Sequence, residues 1–318
     1  MKKINLGVIY AGEHANRNIL PTILKNKKYK LKGIFIRSKK NYDLKYKNYY
    51  KKKKDILEDK KIDTVYISSP NSIHYKNILE CLKKNKNVIS EKPLCINLNE
   101  YKKIKLLSNK KKKIVFEAFM FIYHDIFRYF NNFIQSKKKE KLDIELKFLI
   151  PERSSGDVRY KKSLGGGAYY DCGCYLFKFL STIMSYKDAK LGKKTFKFCK
   201  IYKIDNYGEY KLKKDKWKIK LIWGLGFKYY NRIMINYKNQ KLVADRFFSK
   251  DSLTNSIIRI ISSKKKYSIL KKFRKQNHFY NMFDYYHKMR GSKKLNVIYA
   301  MELEDYQKLY LNKIPYKL

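Results

Sequence analysis

The sequence predicts two domains in series: a doubly wound, parallel α/β sheet over residues 1–120, then an α+β domain over residues 121–318 with a large, mostly antiparallel open sheet. Short β-branched apolar runs alternate with helix-like stretches through roughly the first hundred residues, the order that builds a parallel sheet wrapped by crossover helices. Past residue 120 strand-like alternation and polar turns take over. At 318 residues the chain is long enough for a substantial core in each half.

The first five strands read "INLGVIY", "LKGIFIR", "IDTVYIS", "KNVIS" and "KIVFEAF". "NRNILPTILKNKK" reads as a helix despite Pro21, which is cheap only in a first turn. In "SIHYKNILECLKKNK", Ile78, Leu79 and Leu82 recur at helical spacing, and lysines gather at the C-terminal end, where the helix dipole favours them. After one further helix-like stretch, "LDIELKFLI", "TFKFCKIYKI", "KWKIKLIWGLGF" and "RIMINYKNQKLVADRFFS" read as strands. "NYKNQK" reads as a hairpin turn with Asn236 and Asn239 as its left-handed residues. "NHFYNMFDYYHKMR" and "NVIYAMELEDYQKLYL" supply helices.

The formal net charge is +49, from 76 Lys and Arg against 27 Asp and Glu. Clustered, such charge would bind nucleic acid or an anionic membrane surface through counterion release. Here lysines run from Lys2 to Lys317, and no nucleic-acid fold motif or arginine fork accompanies them, so the sequence predicts no specific nucleic-acid partner. No apolar run reaches the roughly 18 residues that span a bilayer, which predicts no membrane association. The five cysteines are odd in number and irregularly spaced, consistent with a reducing cytoplasm. Cys172 and Cys174 lack a second ligand pair, so no metal site is expected.

Directly after the first strand, "YAGEHA" leads into a helix, where a dinucleotide-binding fold places its phosphate loop. Gly12 allows close backbone approach and Ala15 is small enough for helix against strand, but Tyr10 stands where the first turn glycine belongs. The second strand ends in Arg37, Ser38 and Lys39, with no acid for a ribose 2′-hydroxyl; these residues suit a 2′-phosphate, hence NADP(H) over NAD(H). Two more loops, "SSPNSIH" and "SEKPLC", follow strands at the sheet's C-terminal edge. A glycine-rich stretch, "GGGAYYDCGCY", lies some seventy residues beyond.

Taken with "FEAFMFIYHD", these motifs and their order resemble the Gfo/Idh/MocA oxidoreductases over essentially the whole chain. The resemblance implies a Rossmann domain binding NAD(P)(H) and a second domain holding a sugar-type substrate. Lys92, in Glu-Lys-Pro, matches the family's lysine beside the reacting oxygen, which it would polarise. Tyr175 falls where relatives carry His or Tyr as proton donor, and Asp171 matches the acid of the same loop while also fitting a helix N-cap. The implied catalytic set is Lys92, Tyr175 and Asp171.

Tyr10, Ala11, Gly12, Glu13, His14, Arg37, Ser38, Lys39, Ser69, Pro70, Asn71, His74, Glu91 and Lys92 are implied cofactor contacts, although His74 fits equally as the start of the next helix. Lys92, Arg159, Asp171 and Tyr175 are implied substrate contacts, and Arg159 fits equally as a solvated arginine. Ile122 and Asp125 depart from the family's Arg and Pro, implying a changed substrate pocket. Within the family, "WGLGFKYYNRIMINYKNQKLVADRFFS" and "NHFYNMFDYY" resemble members that reduce keto groups of nucleotide-linked sugars and their neighbours, including dihydrodiol-dehydrogenase-like and glucose-fructose-oxidoreductase-like enzymes. That implies a sugar or nucleotide-sugar substrate and a homo-oligomer paired through the second-domain sheet. A non-catalytic cofactor or sugar binder on the same fold is the alternative.

Overall fold

A computed structural model describes residues 2–37, 46, 48–185, 187–188, 190–250, 254–262 and 265–313. The chain forms two compact units, Met1–Phe119 with Phe279–Met301, and Met120–His278 with Glu302–Leu318.

In the first unit β1 (Ile4–Ile9), β2 (Tyr29–Phe35), β3 (Thr64–Ile67), β4 (Asn87–Ser90) and β5 (Val115–Glu117) form one sheet in the order β2-β1-β3-β4-β5. Every pairing is parallel. β3 and β4 are buried at every position, as a sheet covered on both faces requires. The order reverses at β1, so the carboxyl ends of β1 and β3 flank the switch point where such a sheet takes its ligand. The first crossover helix opens with a π-turn over Ala15–Ile19 and continues as α1 (Leu20–Lys25), with Pro21 at its start. Proline has no N–H to give to the carbonyl four residues back, and the wider turn before it absorbs that missing bond. The remaining helices are α2 (Lys53–Glu58), α3 (His74–Lys83) and α4 (Leu98–Lys111), the last capped by Asn97 Oδ1, which accepts from Glu100 N at 2.9 Å.

Residues 279–301, which the sequence reading places after the boundary at 120, cluster with this first unit. Tyr29 Oη donates to Phe283 O at 2.6 Å, Asn26 and Lys28 donate to Asp284 at 2.9 and 2.7 Å, and Arg290 meets Asp63 at 2.8 Å. Tyr299 stacks on Phe116 at 4.8 Å and its hydroxyl accepts from Glu117 N. No local pattern in a sequence marks contacts between residues so far apart in the chain.

The second unit contains α5 (Asp125–Ser136), β6 (Leu142–Ile150), α6 (Cys174–Ile183), and β7 (Lys190–Cys199), β8 (Ile204–Lys214), β9 (Trp217–Leu225), β10 (Tyr230–Tyr237), β11 (Gln240–Asp245), β12 (Ser256–Ser262) and β13 (Lys265–Phe273). These eight strands run in the order β13-β12-β11-β10-β6-β9-β8-β7, and only β6 with β9 pairs in parallel. The core between this sheet and α5 and α6 is aromatic: Phe130 and Phe179 meet Phe247, and Phe177 meets Trp223. Gly208 lets the Trp223 indole lie flat against β8, since a Cβ there would stand 2.1 Å from the ring. Helices α7 (His278–Arg290) and α8 (Lys293–Leu311) close the chain.

Three details differ from the sequence reading. The run "TFKFCKIYKI" breaks at a turn whose Lys203 has φ 52°, so its end opens the separate strand β8. In the β10–β11 hairpin the left-handed residue is Lys238, φ 51°, rather than Asn236 or Asn239. β12 and β13 extend the sheet beyond the strands read from the sequence. Among the described residues, no helix is long and apolar enough to cross a membrane.

Candidate active site

The C-terminal edge of the parallel sheet gathers most of the expected cofactor residues. Tyr10 follows β1 with φ 60°, a left-handed backbone that a fingerprint glycine would adopt freely. Its ring meets Phe35 edge-on at 5.4 Å and lies 5.9 Å from Lys53 Nζ, contacts that offset the strain. We expect Tyr10→Ala, which loses these contacts but keeps the strain, to be less stable than Tyr10→Gly by about 1 kcal/mol in urea denaturation, against the usual order of alanine and glycine. Ala11 is buried, and Gly12 faces open space, with no atom within 4 Å of where a Cβ would stand. Glu13 is exposed and 3.9 Å from Arg17. Arg37 is exposed at the end of β2; Ser38 and Lys39 lie outside the described residues.

His14 and Glu91 are brought together, with His14 Nε2 3.1 Å from Glu91 Oε1. Tyr66, which the sequence reading did not single out, donates its hydroxyl to the same oxygen. Burial would raise the Glu91 pKa, but the charge and hydrogen bond of His14, the Tyr66 hydroxyl and the charge of Lys92 outweigh it and hold the carboxyl at about 2. Glu91 is therefore an anion fixed between three elements.

His74 is a core residue. It is fully buried, its Nδ1 lies 2.7 Å from Pro93 O and its Nε2 2.7 Å from Ser69 O. With both ring nitrogens beside backbone carbonyls, the imidazole ties two loops together where α3 begins. Burial pushes its pKa down against the opposing pull of those carbonyls. Ser69 Oγ accepts from Asn77, whose Oδ1 takes a hydrogen bond from Lys53 at 3.0 Å. Pro70 and Asn71 stand half-buried at the turn between β3 and α3. Lys92 is half-buried beside Glu91 and precedes a cis peptide to Pro93; Leu94 N, just beyond, donates to Glu117 Oε1 at 2.7 Å.

In the second unit the glycine-rich stretch folds tightly. A Cβ on Gly166 would stand 2.5 Å from Arg159 O, and Gly167, φ 113°, donates its N–H to that same carbonyl at 2.9 Å. The chain then enters a π-turn, Tyr169–Gly173, that leads into α6. The turn is pinned by the fully buried Asp205, which accepts from Tyr169 N at 2.7 Å and Trp223 Nε1 at 3.2 Å.

Arg159 and Asp171 form an ion pair, Nε to Oδ2 at 2.6 Å, with Asp157 on the other side of the guanidinium at 3.1 Å. The Asp171 charge raises the Arg159 pKa further above its ordinary value. Arg159 is thus a half-buried, paired arginine and not a solvated one. Tyr175 is buried among Phe121, Phe148 and Phe248, with its hydroxyl 3.9 Å from Met120 Sδ. The pattern of the motif points to Asp171 and Tyr175; nothing in it points to Asp205, more than thirty residues downstream.

Cys172 and Cys174 are buried thiols, and no group of three His, Cys, Asp or Glu able to hold a metal ion occurs among the described residues.

Comparison with known proteins agrees with this architecture. Residues 4–119 match the model described as "Oxidoreductase family, NAD-binding Rossmann fold", GFO_IDH_MocA. A dTDP-3,4-didehydro-2,6-dideoxy-alpha-D-glucose 3-reductase from Actinomadura kijaniata is 30% identical over 121 residues, covering 38% of this chain and 36% of the reductase. A trans-1,2-dihydrobenzene-1,2-diol dehydrogenase from Xenopus laevis is 24% identical over 147 residues, 41% of this chain and 40% of that enzyme. The matched region thus spans little more than a third of these curated relatives.

Over the whole chain the fold is that of KijD10, a 3-ketoreductase from Actinomadura kijaniata crystallised with NADP and TDP-benzene. The TM-score is 0.86 at 19% identity, covering 97% of this chain and 95% of that one. An aldose-aldose oxidoreductase from Caulobacter crescentus superposes with TM-score 0.78 at 12% identity over the full length of both chains. The family match thus lies in the N-terminal unit, residues 4–119, and the likeness of the remainder is one of fold.

Proposed function

We propose that this protein is an NADP(H)-dependent oxidoreductase that reduces a keto group of a sugar, most simply one carried on a nucleotide. Residues 1–120 would bind the cofactor and residues 121–318 the substrate. The observation that carries the reading is the linked edge of the parallel sheet: the loops after β1, β3 and β4 are tied through His14, Tyr66 and Glu91, and again through His74, with Lys92 between the two ties. The open space at Gly12 accommodates close approach of a pyrophosphate, and exposed Arg37 suits a 2′-phosphate. When bound, the nicotinamide supplies the hydride.

In this reading Glu91, His14, Ser69, Pro70 and Asn71 shape the cofactor site. The Lys92 ammonium stabilises the negative charge that develops on the carbonyl oxygen. Tyr175 gives that oxygen its proton, and Arg159, held by Asp171, orients the sugar or its phosphate. The relatives named 3-reductase and the fold shared with a ketoreductase crystallised with NADP support this choice of reaction and cofactor. The open face of the eight-stranded sheet, which carries Arg232, Asp245 and Arg259, is the surface through which copies of the chain would pair. Five cysteines held as thiols fit a cytoplasmic setting.

Titration of the purified protein with NADPH and with NADH, read by nicotinamide fluorescence, tests the proposal. NADPH is expected to bind more tightly; failure of both to bind would overturn it. Binding without turnover of any keto-sugar would favour the non-catalytic alternative.

A further inference from the structure

His14 does more than line the phosphate loop. It ends the loop after β1 and stands just before the π-turn Ala15–Ile19. Its Nδ1 lies 3.2 Å from Asn18 Nδ2 inside that turn, and Asn18 O accepts from Thr22 Oγ1 at 2.6 Å. Its Nε2 lies 3.1 Å from Glu91 Oε1, on the loop after β4. A carboxylate only accepts, so the proton between them sits on the imidazole. The ring also meets Phe279 edge-on at 5.7 Å, and Phe283, four residues further along α7, lies 5.9 Å from the Tyr66 ring. Residues four apart on a helix share a face, so one face of α7 backs both groups that donate to the same carboxylate oxygen.

The two ends of this link are held differently. On the Glu91 side the backbone is fixed to the sheet: Glu91 N donates to Ile67 O and Ala118 N to Ser90 O, both at 2.9 Å. Leu94 N donates to Glu117 Oε1 at 2.7 Å, so Lys92 stands between two anchored points. On the His14 side the chain is less regular. Gly12 faces open space, Tyr10 has a left-handed backbone, and the helix opens as a π-turn, a form that recurs at functional sites. A phosphate settling against Gly12 therefore fixes the loop that carries His14, and the far side of His14 is the carboxylate next to Lys92.

We propose that His14 is a positioning residue that couples the two ends of the cofactor site: occupancy of the phosphate loop by the adenosine phosphates of NADP(H) orders, through the His14–Glu91 contact, the loop that carries Lys92. The inference rests on the cofactor reading above and adds to it a route between the loops. Coupling of this kind is a free energy shared by both ends, so ordering of the Lys92 loop tightens the hold on the phosphates by the same factor. A ligand that fills one end alone reads it.

Amide hydrogen exchange of the full-length protein, with and without saturating adenosine 2′,5′-bisphosphate, tests the coupling by mass spectrometry of peptides covering residues 10–20 and 91–96. The probe has the adenosine phosphates and no nicotinamide, so it leaves the Lys92 end empty. In the parent, both segments should exchange at least about fivefold more slowly when the probe is bound, the lower end of coupling between sites. The Leu94 N–H is the reporter in the second segment. His14→Phe keeps a ring against Phe279 but has no donor for Glu91; it should retain protection of residues 10–20 and lose that of residues 91–96. His14→Gln, whose amide can donate to Glu91, should restore most of the lost protection.

Protection of residues 91–96 that survives in His14→Phe would mark a static brace and overturn the proposal. Protection confined to residues 10–20 in the parent overturns it too, while leaving the NADP(H) reading in place. A probe that protects neither segment of the parent overturns both.

Discussion

Replacing Lys92 with methionine is expected to lower turnover of a keto-sugar by about 100- to 1,000-fold, the cost of removing one donor from a developing oxyanion. Methionine preserves much of the length and bulk of the lysine stem and removes only the charge. Lys92→Arg tests whether charge alone suffices; its planar fork should recover only part of the rate, because a compact ammonium and a guanidinium reach one oxygen differently. The Tyr66 and His14 contacts to Glu91 persist in both variants, so NADPH affinity should change by less than turnover. Steady-state kinetics alongside cofactor titration separate the two quantities. A methionine variant with the parent rate would remove Lys92 from the chemistry.

The largest stability effect is expected at Asp205. Asp205→Ala leaves the Tyr169 N–H and the Trp223 indole N–H without their acceptor in a core closed to solvent. Each such orphaned donor costs about 1–3 kcal/mol, so a loss of roughly 3–5 kcal/mol should appear in urea denaturation. Asp205→Asn keeps an acceptor oxygen and should cost less than half as much. The alanine variant should also lose activity beyond its fraction unfolded, because Tyr169 begins the turn that carries Asp171 and leads to Tyr175. An alanine variant within about 1 kcal/mol of the parent would show that the carboxylate does not hold the turn.

Both effects bear on what was legible in the sequence. β3 and β4 could be read because a strand buried on both faces must be apolar throughout, and "TVYI" and "NVIS" come close to that. β8 could not: "IDNYGEYKLKK" mixes Asn206, Gly208 and Glu209 into a strand whose place is set by Trp223 on its neighbour. β13 is an edge strand rich in lysine, a composition that protects an edge and hides its periodicity. Within the candidate site, the Glu-Lys-Pro and glycine-rich motifs identified the loops. They did not reveal that the His74 ring turns inward between two carbonyls, because side-chain direction at a helix start depends on what packs behind it. Asp205 was invisible for a plainer reason: it acquires its meaning from Tyr169 and Trp223, partners distant in sequence.

The one parallel pairing in the eight-stranded sheet, β6 with β9, has a consequence for how the molecule comes to be folded. Joining these central strands closes a chain segment of about 65 residues, with an entropic cost that grows only with the logarithm of its length but must be met before the strands can pair. That segment contains the glycine-rich turn, α6 and the hairpin of β7 and β8. The residues assigned to substrate chemistry in the second unit therefore lie inside a crossover and not on a local hairpin. Their geometry belongs to a late event in folding, reached only when the middle of the sheet has come together.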